Sequence, residues 1–375
     1  MRIFIYIIIF FAFFDLFAQL PIMSPFAVSL GAAPFLAGLA VGMYSLSNVL
    51  GNIVSGIFSD RKGPFAILIF GLISTGVILF SYHLAEGPYS LLAIRFLHGL
   101  AAGFTVPAAF TYLANKTDHS RRGKGAAVSG AFVGLAAIIG PAFGAIYASR
   151  SSVPEMMSIT GLILLALGIA SYFFLQRNLP KKSPKAAAKI PFSEYIRNRG
   201  LLQAFFGAFF LMFSQGVLAY MLPLKTEALG YHSEMSGLLL STFGIAAILV
   251  FLLPINRLFD RVKPIYTLII GFSCMGASLF LLSAVSLAPL MYFTMAAYGI
   301  GFALLFPSIN SLLIDSTDEL SRGRAYGYFY AFFSFGVVAG SSSTGALELS
   351  ANEGFVLSGS LLIAVACFNA LMARK

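Results

Sequence analysis

Charged residues are scarce in this sequence, and this scarcity limits the class of protein. Asp, Glu, Lys and Arg make up 10% of the 375 residues, whereas 59% are hydrophobic. A soluble globular domain carries about 25% charged residues, so an ordinary water-soluble fold is excluded. The composition therefore indicates a chain whose solvent is mostly lipid.

Cysteines and catalytic patterns are also few. Cys274 and Cys367 lie in apolar stretches without metal-ligand spacing, and we expect inert buried thiols. No His-Glu-x-x-His or Gly-x-Ser-x-Gly pattern occurs. An intramembrane hydrolase would need a catalytic set at one depth, and the deeply placed ionisable residues are limited to Asp15, Arg95 and His98. We therefore expect no enzyme activity, no metal and no cofactor.

Long apolar runs fill the rest of the chain. About 20 apolar residues cross a bilayer as a helix, and runs that are continuous, not alternating, favour helices over a β-barrel. The sequence predicts an all-α integral membrane protein with twelve transmembrane helices. The predicted spans are residues 3–23, 34–57, 65–85, 89–115, 122–149, 154–175, 200–222, 233–256, 264–286, 288–314, 323–347 and 352–373.

The basic residues are unevenly distributed between the predicted loops. If both termini are cytoplasmic, every Lys and Arg except Arg95, Arg150 and Lys225 lies on the cytoplasmic side, as the positive-inside rule requires. The net charge of +10 is then a topology signal, and we expect no nucleic-acid partner. We expect a multi-pass protein of a bacterial inner membrane with cytoplasmic termini.

A repeated loop divides the chain into two similar halves. The stretch 56–64, Gly-Ile-Phe-Ser-Asp-Arg-Lys-Gly-Pro, returns at 256–264 as Asn-Arg-Leu-Phe-Asp-Arg-Val-Lys-Pro. Six spans separate the two copies, and an even number relates the halves by an axis along the membrane normal. We predict an N-terminal six-helix bundle at 1–176, a cytoplasmic linker at 177–199 and a C-terminal six-helix bundle at 200–375.

Three motifs carry a resemblance to the major facilitator superfamily of transporters. The loop at 56–63 resembles that family's G-x-x-x-D-R-x-G motif, and Arg95-x-x-x-Gly99 resembles its span-4 motif. Gly140-Pro141-x-x-Gly144 resembles a span-5 motif found mainly in exporters of the proton-antiport type. The resemblance implies the twelve-helix drug:proton antiporter type, with two pseudo-symmetric six-helix bundles that work by alternating access.

The chain departs from these family motifs at several positions. Pro64-Phe65 stands where a basic pair is usual, and Ala145 stands where a second glycine is usual. His98 replaces a common glutamine. These departures bear on the exporter subtype more than on the superfamily.

The ionisable residues within the first half suggest proton coupling. At 1.5 Å per residue, Asp15 in span 1 and Arg95 in span 4 lie at similar depths, so an ion pair can form directly or through water. Our hypothesis is that Asp15 takes up and releases a proton, that Arg95 favours its ionised form when near, and that His98 relays protons. The alternatives are a permanent structural pair, a substrate contact and a histidine that only packs between helices.

The remaining candidate residues concern the substrate, gating and helix shape. The candidate cavity residues are Gln19, Gln215, Tyr220, Tyr298, Asn310 and Tyr330. The candidate gating residues are Gly56, Asp60, Arg61, Gly63, Asp260 and Arg261. The family resemblance implies that the Asp60 carboxylate faces a helix N-terminus of the other half, and pseudo-symmetry implies the same for Asp260, so that both would hold the outward-open state. A solvated turn is the alternative for these loops. Gly140, Pro141 and Gly144 would bend span 5, because proline removes a backbone hydrogen bond, or would only pack it.

Together these features predict a transporter that exports a small amphipathic molecule, neutral or cationic, against protons. The expected partners are that small-molecule substrate and the lipid bilayer, and we expect a monomer with the proton as coupling ion. A sugar or metabolite permease, a lipid flippase and a membrane sensor that transports nothing remain alternatives.

Overall fold

The computed structural model describes residues 2–116, 122–175, 197–252, 262–317 and 322–373 of the chain. Across these residues the chain forms thirteen α-helices and no β-strand. The chain divides into two compact units, Met1–Pro184 and Lys185–Lys375, which are called unit 1 and unit 2.

The described part of unit 1 holds seven α-helices, and that of unit 2 holds six. In unit 1 they are α1 (Arg2–Ala18), α2 (Met23–Ser29), α3 (Pro34–Lys62), α4 (Pro64–Phe80), α5 (Pro88–Lys116), α6 (Arg122–Arg150) and α7 (Val153–Phe174), with a 3₁₀ helix at Ser81–Leu84. In unit 2 they are α8 (Arg199–Ala228), α9 (Glu234–Leu252), α10 (Pro264–Ala284), α11 (Ala288–Asp315), α12 (Arg322–Ala346) and α13 (Ala351–Ala373).

These helices lie where the twelve spans are predicted. Nine of the described helices are long and apolar enough to cross a membrane, and α1 with α2 forms a tenth span that is bent by 46°. The apolar part of α9 is shorter, at Glu234–Val250, and α12 contains serines at 341–343. Both occupy positions predicted for spans, so each predicted span has a helical counterpart.

The first span is broken, and the prediction of one continuous helix over 3–23 was wrong. A turn at residues 19–22 separates α1 from α2. Pro21 has no N–H to donate and its ring clashes with the preceding helical turn. The next two backbone N–H groups instead bond to the Gln19 carbonyl at 3.3 and 3.2 Å. The break leaves Gln19 in irregular backbone, one turn beyond Asp15.

The internal repeat appears as the same helix pairing within each unit. In unit 1, α1 packs on α6, α3 on α5 and α4 on α7. In unit 2, α8 packs on α12, α9 on α11 and α10 on α13, which are the equivalent pairs. The repeated sequence pattern therefore gives each unit the same internal packing.

Glycines bring α6 into close contact with α1. A Cβ added at Gly144 would lie 1.9 Å from the Ala18 carbonyl oxygen, and one at Gly140 would lie 2.9 Å from Phe17 Cβ. Small residues let membrane helices approach in this way. The helix α6 continues through Pro141. Gly140 and Gly144 pack this helix against α1, which carries Asp15. The bend at Pro141 stays a prediction.

The loop motif has a defined turn at its glycine. Gly63 has φ +89°, a left-handed conformation that glycine adopts at little cost, and it separates α3 from α4. Gly56 lies within α3 and has open space where a Cβ would be. The gating prediction concerns residues outside the described part of the structure. The side chains of Asp60 and Arg61 are not described, and neither are residues 253–261, which include Asp260 and Arg261.

Two other predictions concern the cysteines and the linker. Cys274 is partly exposed and donates to the Ala297 carbonyl at 3.3 Å, and Cys367 is exposed on the surface of α13. The expectation of two buried thiols was therefore wrong: Cys274 lies at the edge of the contact between α10 and α11, and Cys367 lies on the outer face of α13. Of the predicted linker at 177–199, residues 177–196 lie outside the described part of the structure.

We expect Gly144→Ala to destabilise the protein, because the new methyl group would overlap the backbone of α1. Gly130→Ala is the matched control on the same helix, since a Cβ there would meet nothing within 4 Å. Heating of both purified variants in detergent, followed by size-exclusion chromatography, should show a lower unfolding midpoint for Gly144→Ala only. Equal midpoints would contradict the close packing of α6 on α1.

Candidate functional site

The ionisable residues predicted for proton coupling lie together in the interior of unit 1. Asp15 is on α1, and Arg95 and His98 are on α5, one turn apart, so both face the same neighbours. Their side chains are 2%, 3% and 0% exposed, respectively. Charged groups at such burial need partners, and the partners define the site.

The bonded partner of Asp15 is His98. Asp15 Oδ2 lies 3.0 Å from His98 Nε2. The other carboxylate oxygen, Oδ1, is buried and has no hydrogen-bond partner among the described residues. The carboxyl group therefore keeps one oxygen that can accept a proton or a donor from a ligand.

Arg95 is held by the backbone of α3 and by Gln19. Its Nε donates to the Ala40 carbonyl at 2.7 Å and its Nη2 to the Val41 carbonyl at 2.9 Å. Its Nη1 donates to Gln19 Oε1, and the Tyr44 ring lies 5.2 Å from its Cζ. The planar guanidinium makes several hydrogen bonds in fixed directions, which the single ammonium group of a lysine could not make at once.

Asp15 and Arg95, between which the sequence analysis allowed an ion pair directly or through water, are connected in the structure through Gln19. Gln19 links the two residues, because its Nε2 donates to the Asp15 backbone carbonyl at 3.1 Å while its Oε1 accepts from Arg95. The cause is the break after α1, which turns Gln19 toward Arg95 and leaves the shorter His98 ring to meet the carboxylate. Gln19 was predicted as a cavity residue, whereas its side chain is 1% exposed and bonds within this cluster.

Two tyrosines complete the surroundings of His98 and were missed by the sequence analysis. Tyr82 Oη lies 3.0 Å from His98 Nδ1, and Tyr44 meets the imidazole edge-on with ring centroids 4.8 Å apart. Tyr82 belongs to the 3₁₀ helix that follows α4. No spacing rule connects either tyrosine to His98, because each comes from a different element that packs on α5.

These residues can hold and exchange a proton. The cluster contains a carboxylate, an imidazole and a phenol joined by hydrogen bonds, beside a guanidinium that stays charged. A neutral His98 and an ionised Asp15 would make the cluster neutral overall together with Arg95. In the described residues no group of three or more His, Cys, Asp or Glu side chains could hold a metal ion.

The predicted cavity residues of unit 2 have different surroundings within that unit. Tyr220 and Tyr298 are 3% and 1% exposed, and Tyr298 Oη bonds Ser214 Oγ at 2.8 Å. Asn310 donates to a carbonyl of its own helix, and Tyr330 is 50% exposed. An apolar groove of about 580 Å³ in unit 2 is instead lined by Phe209, Tyr328, Ala331, Phe332, Phe335, Val338 and Ala339.

Gln215 shares one property with Asp15. It lies near the position that corresponds to Asp15 in the repeat. Its Nε2 is also buried without a hydrogen-bond partner among the described residues. Neighbouring positions of the repeat thus present a polar atom with unused hydrogen-bonding capacity in each unit.

The sequence analysis placed Lys225 in a loop beyond the end of its span, whereas the structure buries this residue within unit 2. Lys225 is 5% exposed, and its Nζ donates to the Ser283 carbonyl at 3.2 Å, to Asn352 Oδ1 at 2.8 Å and to the Leu282 carbonyl. These contacts join α8 to the end of α10 and the start of α13. The ammonium group also faces the negative end of the α10 dipole. Its contacts therefore stabilise the packing of α8 against α10 and α13.

Apolar helices in two internally similar units, with a cluster of ionisable side chains buried in unit 1, are typical of a polytopic membrane transport protein. The chain belongs to the Major Facilitator Superfamily, whose family model matches residues 5–341. The predicted fold class and family are therefore confirmed.

Relatives and solved structures of this family resemble the chain over most of its length. The "Multi-drug resistance efflux pump PmrA" of Streptococcus pneumoniae is 24% identical, with 85% of this chain and 82% of that protein covered. The "Multidrug resistance protein MdtG" of Proteus mirabilis is 28% identical, with 88% and 83% covered. The inward-facing crystal structure of a bacterial homologue of the human lysosomal transporter Spinster matches with a TM-score of 0.82 at 14% identity, covering 100% of this chain and 96% of that one.

We expect Arg95→Lys to destabilise unit 1, because one ammonium cannot reach two adjacent carbonyls and Gln19 together. Each hydrogen bond lost to a charged donor contributes about 1.5–3 kcal/mol. The thermal unfolding midpoint of the purified protein should fall clearly. Arg150→Lys, at the exposed end of α6, is the control and should keep its midpoint; an equal fall in both variants would refute the bonding role.

Proposed function

We propose that this protein is a secondary active exporter of small amphipathic organic molecules that exchanges substrate for protons by alternating access. Membership of the Major Facilitator Superfamily supports transport across a membrane. The relatives named as multidrug efflux and multidrug resistance proteins support a drug-like cargo.

The observation that carries proton coupling is the state of the Asp15 carboxyl group. It is 2% exposed, one oxygen bonds His98, and the other has no partner among the described residues. A structural carboxylate at this depth would be expected to have both oxygens satisfied, because unpaired buried charge is expensive. A vacant oxygen suits a group that gains and loses a proton during its working cycle.

Arg95 provides the fixed charge against which this proton is exchanged. Its guanidinium favours an ionised Asp15, whereas burial favours the neutral acid. A conformational step that moves α1 relative to α5 changes the first effect, and the break after α1 gives this helix a place to move. Proton uptake and release would then follow the alternation of the transporter, with His98 in direct contact with the exchanging group.

The proposed substrate class rests on the unpartnered polar atoms and on the apolar surface that the units present. Asp15 offers a carboxylate oxygen and Gln215 an amide N–H as unused polar contacts. The groove between Phe209 and α12 offers an aromatic, apolar wall. The groove in unit 2 suits an apolar ring system, and the unpartnered oxygen in unit 1 suits a cationic or polar group, so each unit by itself supports an amphipathic substrate.

The remaining parts of the proposal come from the sequence. The distribution of Lys and Arg supports a cell-membrane location with both termini cytoplasmic. We also propose that the loops around Asp60 and Asp260 hold the outward-open state through contacts with helix N-termini, and that the protein acts as a monomer.

We expect Asp15→Asn to abolish uphill transport and leave downhill transport intact, because an asparagine amide does not bind and release a proton in the physiological pH range. The experiment uses proteoliposomes with an imposed pH gradient and a fluorescent lipophilic cation as the probe. Wild-type protein should concentrate the probe and carry protons the other way. The variant should only equilibrate it.

The matched control is Asp315→Asn, which removes an exposed carboxylate at the end of α11. It should concentrate the probe as the wild type does. Proton coupling through Asp15 would be disproved by an Asp15→Asn protein that still accumulates the probe against its gradient. A wild-type protein that moves a range of lipophilic cations only downhill would disprove the antiport proposal itself.

A further inference from the structure

The groups that hold the buried Arg95 guanidinium are electrically neutral. Its hydrogen bonds go to the backbone carbonyls of Ala40 and Val41 and to the side-chain oxygen of Gln19. The Tyr44 ring, whose centroid lies 5.2 Å from Arg95 Cζ, is an uncharged phenol at neutral pH. A buried arginine is usually paired with a carboxylate, which cancels its charge. Here hydrogen bonds satisfy the guanidinium, and none of these partners cancels its charge.

The chemistry of its two partners fixes the orientation of the Gln19 amide. A guanidinium only donates, and a backbone carbonyl only accepts. The amide oxygen must therefore face Arg95, and the amide nitrogen must face the Asp15 carbonyl, to which it donates at 3.1 Å. The Gln19 side chain is 1% exposed, so bulk water does not reach either bond. A neutral amide thus joins Arg95 to the backbone of the residue that exchanges the proton.

The ionised form of Asp15 depends on a positive charge nearby. Its carboxyl group is 2% exposed, and its bonded partner is His98, at 3.0 Å. Burial favours the neutral acid, whereas a nearby cation favours the carboxylate. Arg95 is kept near by two routes, since Gln19 bonds to both residues and the Tyr44 ring contacts both Arg95 and the His98 ring. The less the charge of Arg95 is cancelled, the more readily Asp15 releases its proton.

We propose that Gln19 is a positioning residue that holds Arg95 without cancelling its charge, and that this neutrality sets the pH range in which Asp15 releases its proton. The inference rests on the proposed proton coupling and extends it to a residue that bonds the Asp15 backbone and not its carboxyl group. A glutamate has the same length as glutamine and could also accept from Arg95. The choice of an amide therefore decides how much positive charge remains for Asp15.

The other titratable residues close to Asp15 carry no permanent charge. His98 comes from α5 and bonds the carboxyl group, Tyr44 comes from α3, and Tyr82 comes from the 3₁₀ helix. Both tyrosines contact the His98 ring. The remaining helix packed on α5 is α4, whose sequence contains no titratable residue. Arg95 is therefore the fixed charge of this cluster.

The helices packed on α1 from the other side add no charge at this depth. On α1 itself the other titratable residues are Arg2 and Tyr6, which lie about 13 Å or more along the helix from Asp15. The helices α6 and α7 also pack on α1. Their sequences contain titratable residues only in the first and last turns. Among the described residues, a charge at position 19 would therefore act on Asp15 more directly than these groups do.

We expect Gln19→Glu to make the site hold its proton to higher pH. Two carboxyl groups would then share one guanidinium, and position 19 follows Asp15 by four residues, close enough for two carboxylates to repel each other. Whichever group holds it, the last proton of such a pair leaves at a higher pH than the proton of one carboxyl group alone. A unit charge at about 7 Å, with an effective dielectric constant of about 20, corresponds to about one to two pH units.

Gln19→Met separates this charge effect from loss of structure. Methionine is uncharged and of similar length, and its sulfur is only a weak acceptor. The guanidinium keeps its two carbonyls on α3 and its full charge, so the titration of Asp15 should stay close to that of the wild type. The thermal unfolding midpoint should fall, because a hydrogen bond from a charged donor is lost.

The direct test is ¹³C NMR of aspartate-labelled protein in lipid, recorded across a pH series. The carboxyl signal of Asp15 is assigned by its loss in Asp15→Asn. Gln19→Glu should raise its titration midpoint by about one to two pH units, and Gln19→Met should leave it in place. Gln203→Glu is the matched control in unit 2, where the glutamine donates to Asn369 Oδ1 and accepts from no arginine. This control should keep the wild-type midpoint.

The pH dependence of probe accumulation in proteoliposomes gives the functional readout. The midpoint of this dependence should move to higher pH in Gln19→Glu and stay in place in Gln19→Met. A Gln19→Glu protein that titrates as the wild type does would overturn the inference. Equal shifts in the Glu and Met variants would also overturn it, because packing and not charge would then set the midpoint.

These measurements keep the inference separate from the function on which it rests. If Asp15→Asn still accumulates the probe against its gradient, the proposed coupling fails, and the NMR titration still decides whether the charge at position 19 controls Asp15. If Asp15→Asn abolishes accumulation while Gln19→Glu leaves the Asp15 titration unchanged, the coupling stands and the role of Gln19 is refuted. A shift of the same size in Gln203→Glu would refute it as well, since the effect would then not depend on contact with Arg95.

Discussion

The burial of one permanent positive charge governs the architecture of unit 1. Arg95 cannot lose its proton, so its guanidinium has to find acceptors inside the protein. Two carbonyls of α3 and the side chain of Gln19 supply them, and the broken span brings Gln19 into reach. Gln19 also donates to the Asp15 backbone carbonyl, so the helix break links the arginine to the helix that carries the carboxylate.

The two units share a packing plan and differ in what they place inside it. The equivalent helices pair in the same way in both. Yet α8 runs unbroken where α1 and α2 are separated by a turn, and the part of α8 that corresponds to Asp15 holds Ser214 and Gln215 in place of a carboxylate. The repeat accounts for the shared helix packing, and the departure from the repeat places a carboxylate at this position in unit 1 only.

Much of the site could be predicted because lipid makes ionisable residues conspicuous. Asp15, Arg95 and His98 stand out in apolar runs, since a charge at that depth is rarely present without a purpose. Their pairing could not be predicted, because depth along a helix does not tell which way a long side chain extends. Tyr82 could not be found either, because one aromatic residue among many carries no signal until its hydroxyl has a partner.

The sequence by itself determined the twelve apolar spans, the repeat and the buried ionisable residues Asp15, Arg95 and His98. These depend on local composition and on periodicity along the chain, and the solvent preference of each run is enough to reveal them. The tertiary structure alone decided that His98 bonds Asp15, that Gln19 joins Arg95 to α1, and that glycines at 140 and 144 bring α6 onto the same helix. Such contacts depend on directions and distances of a few ångströms between elements distant in sequence, which composition does not encode.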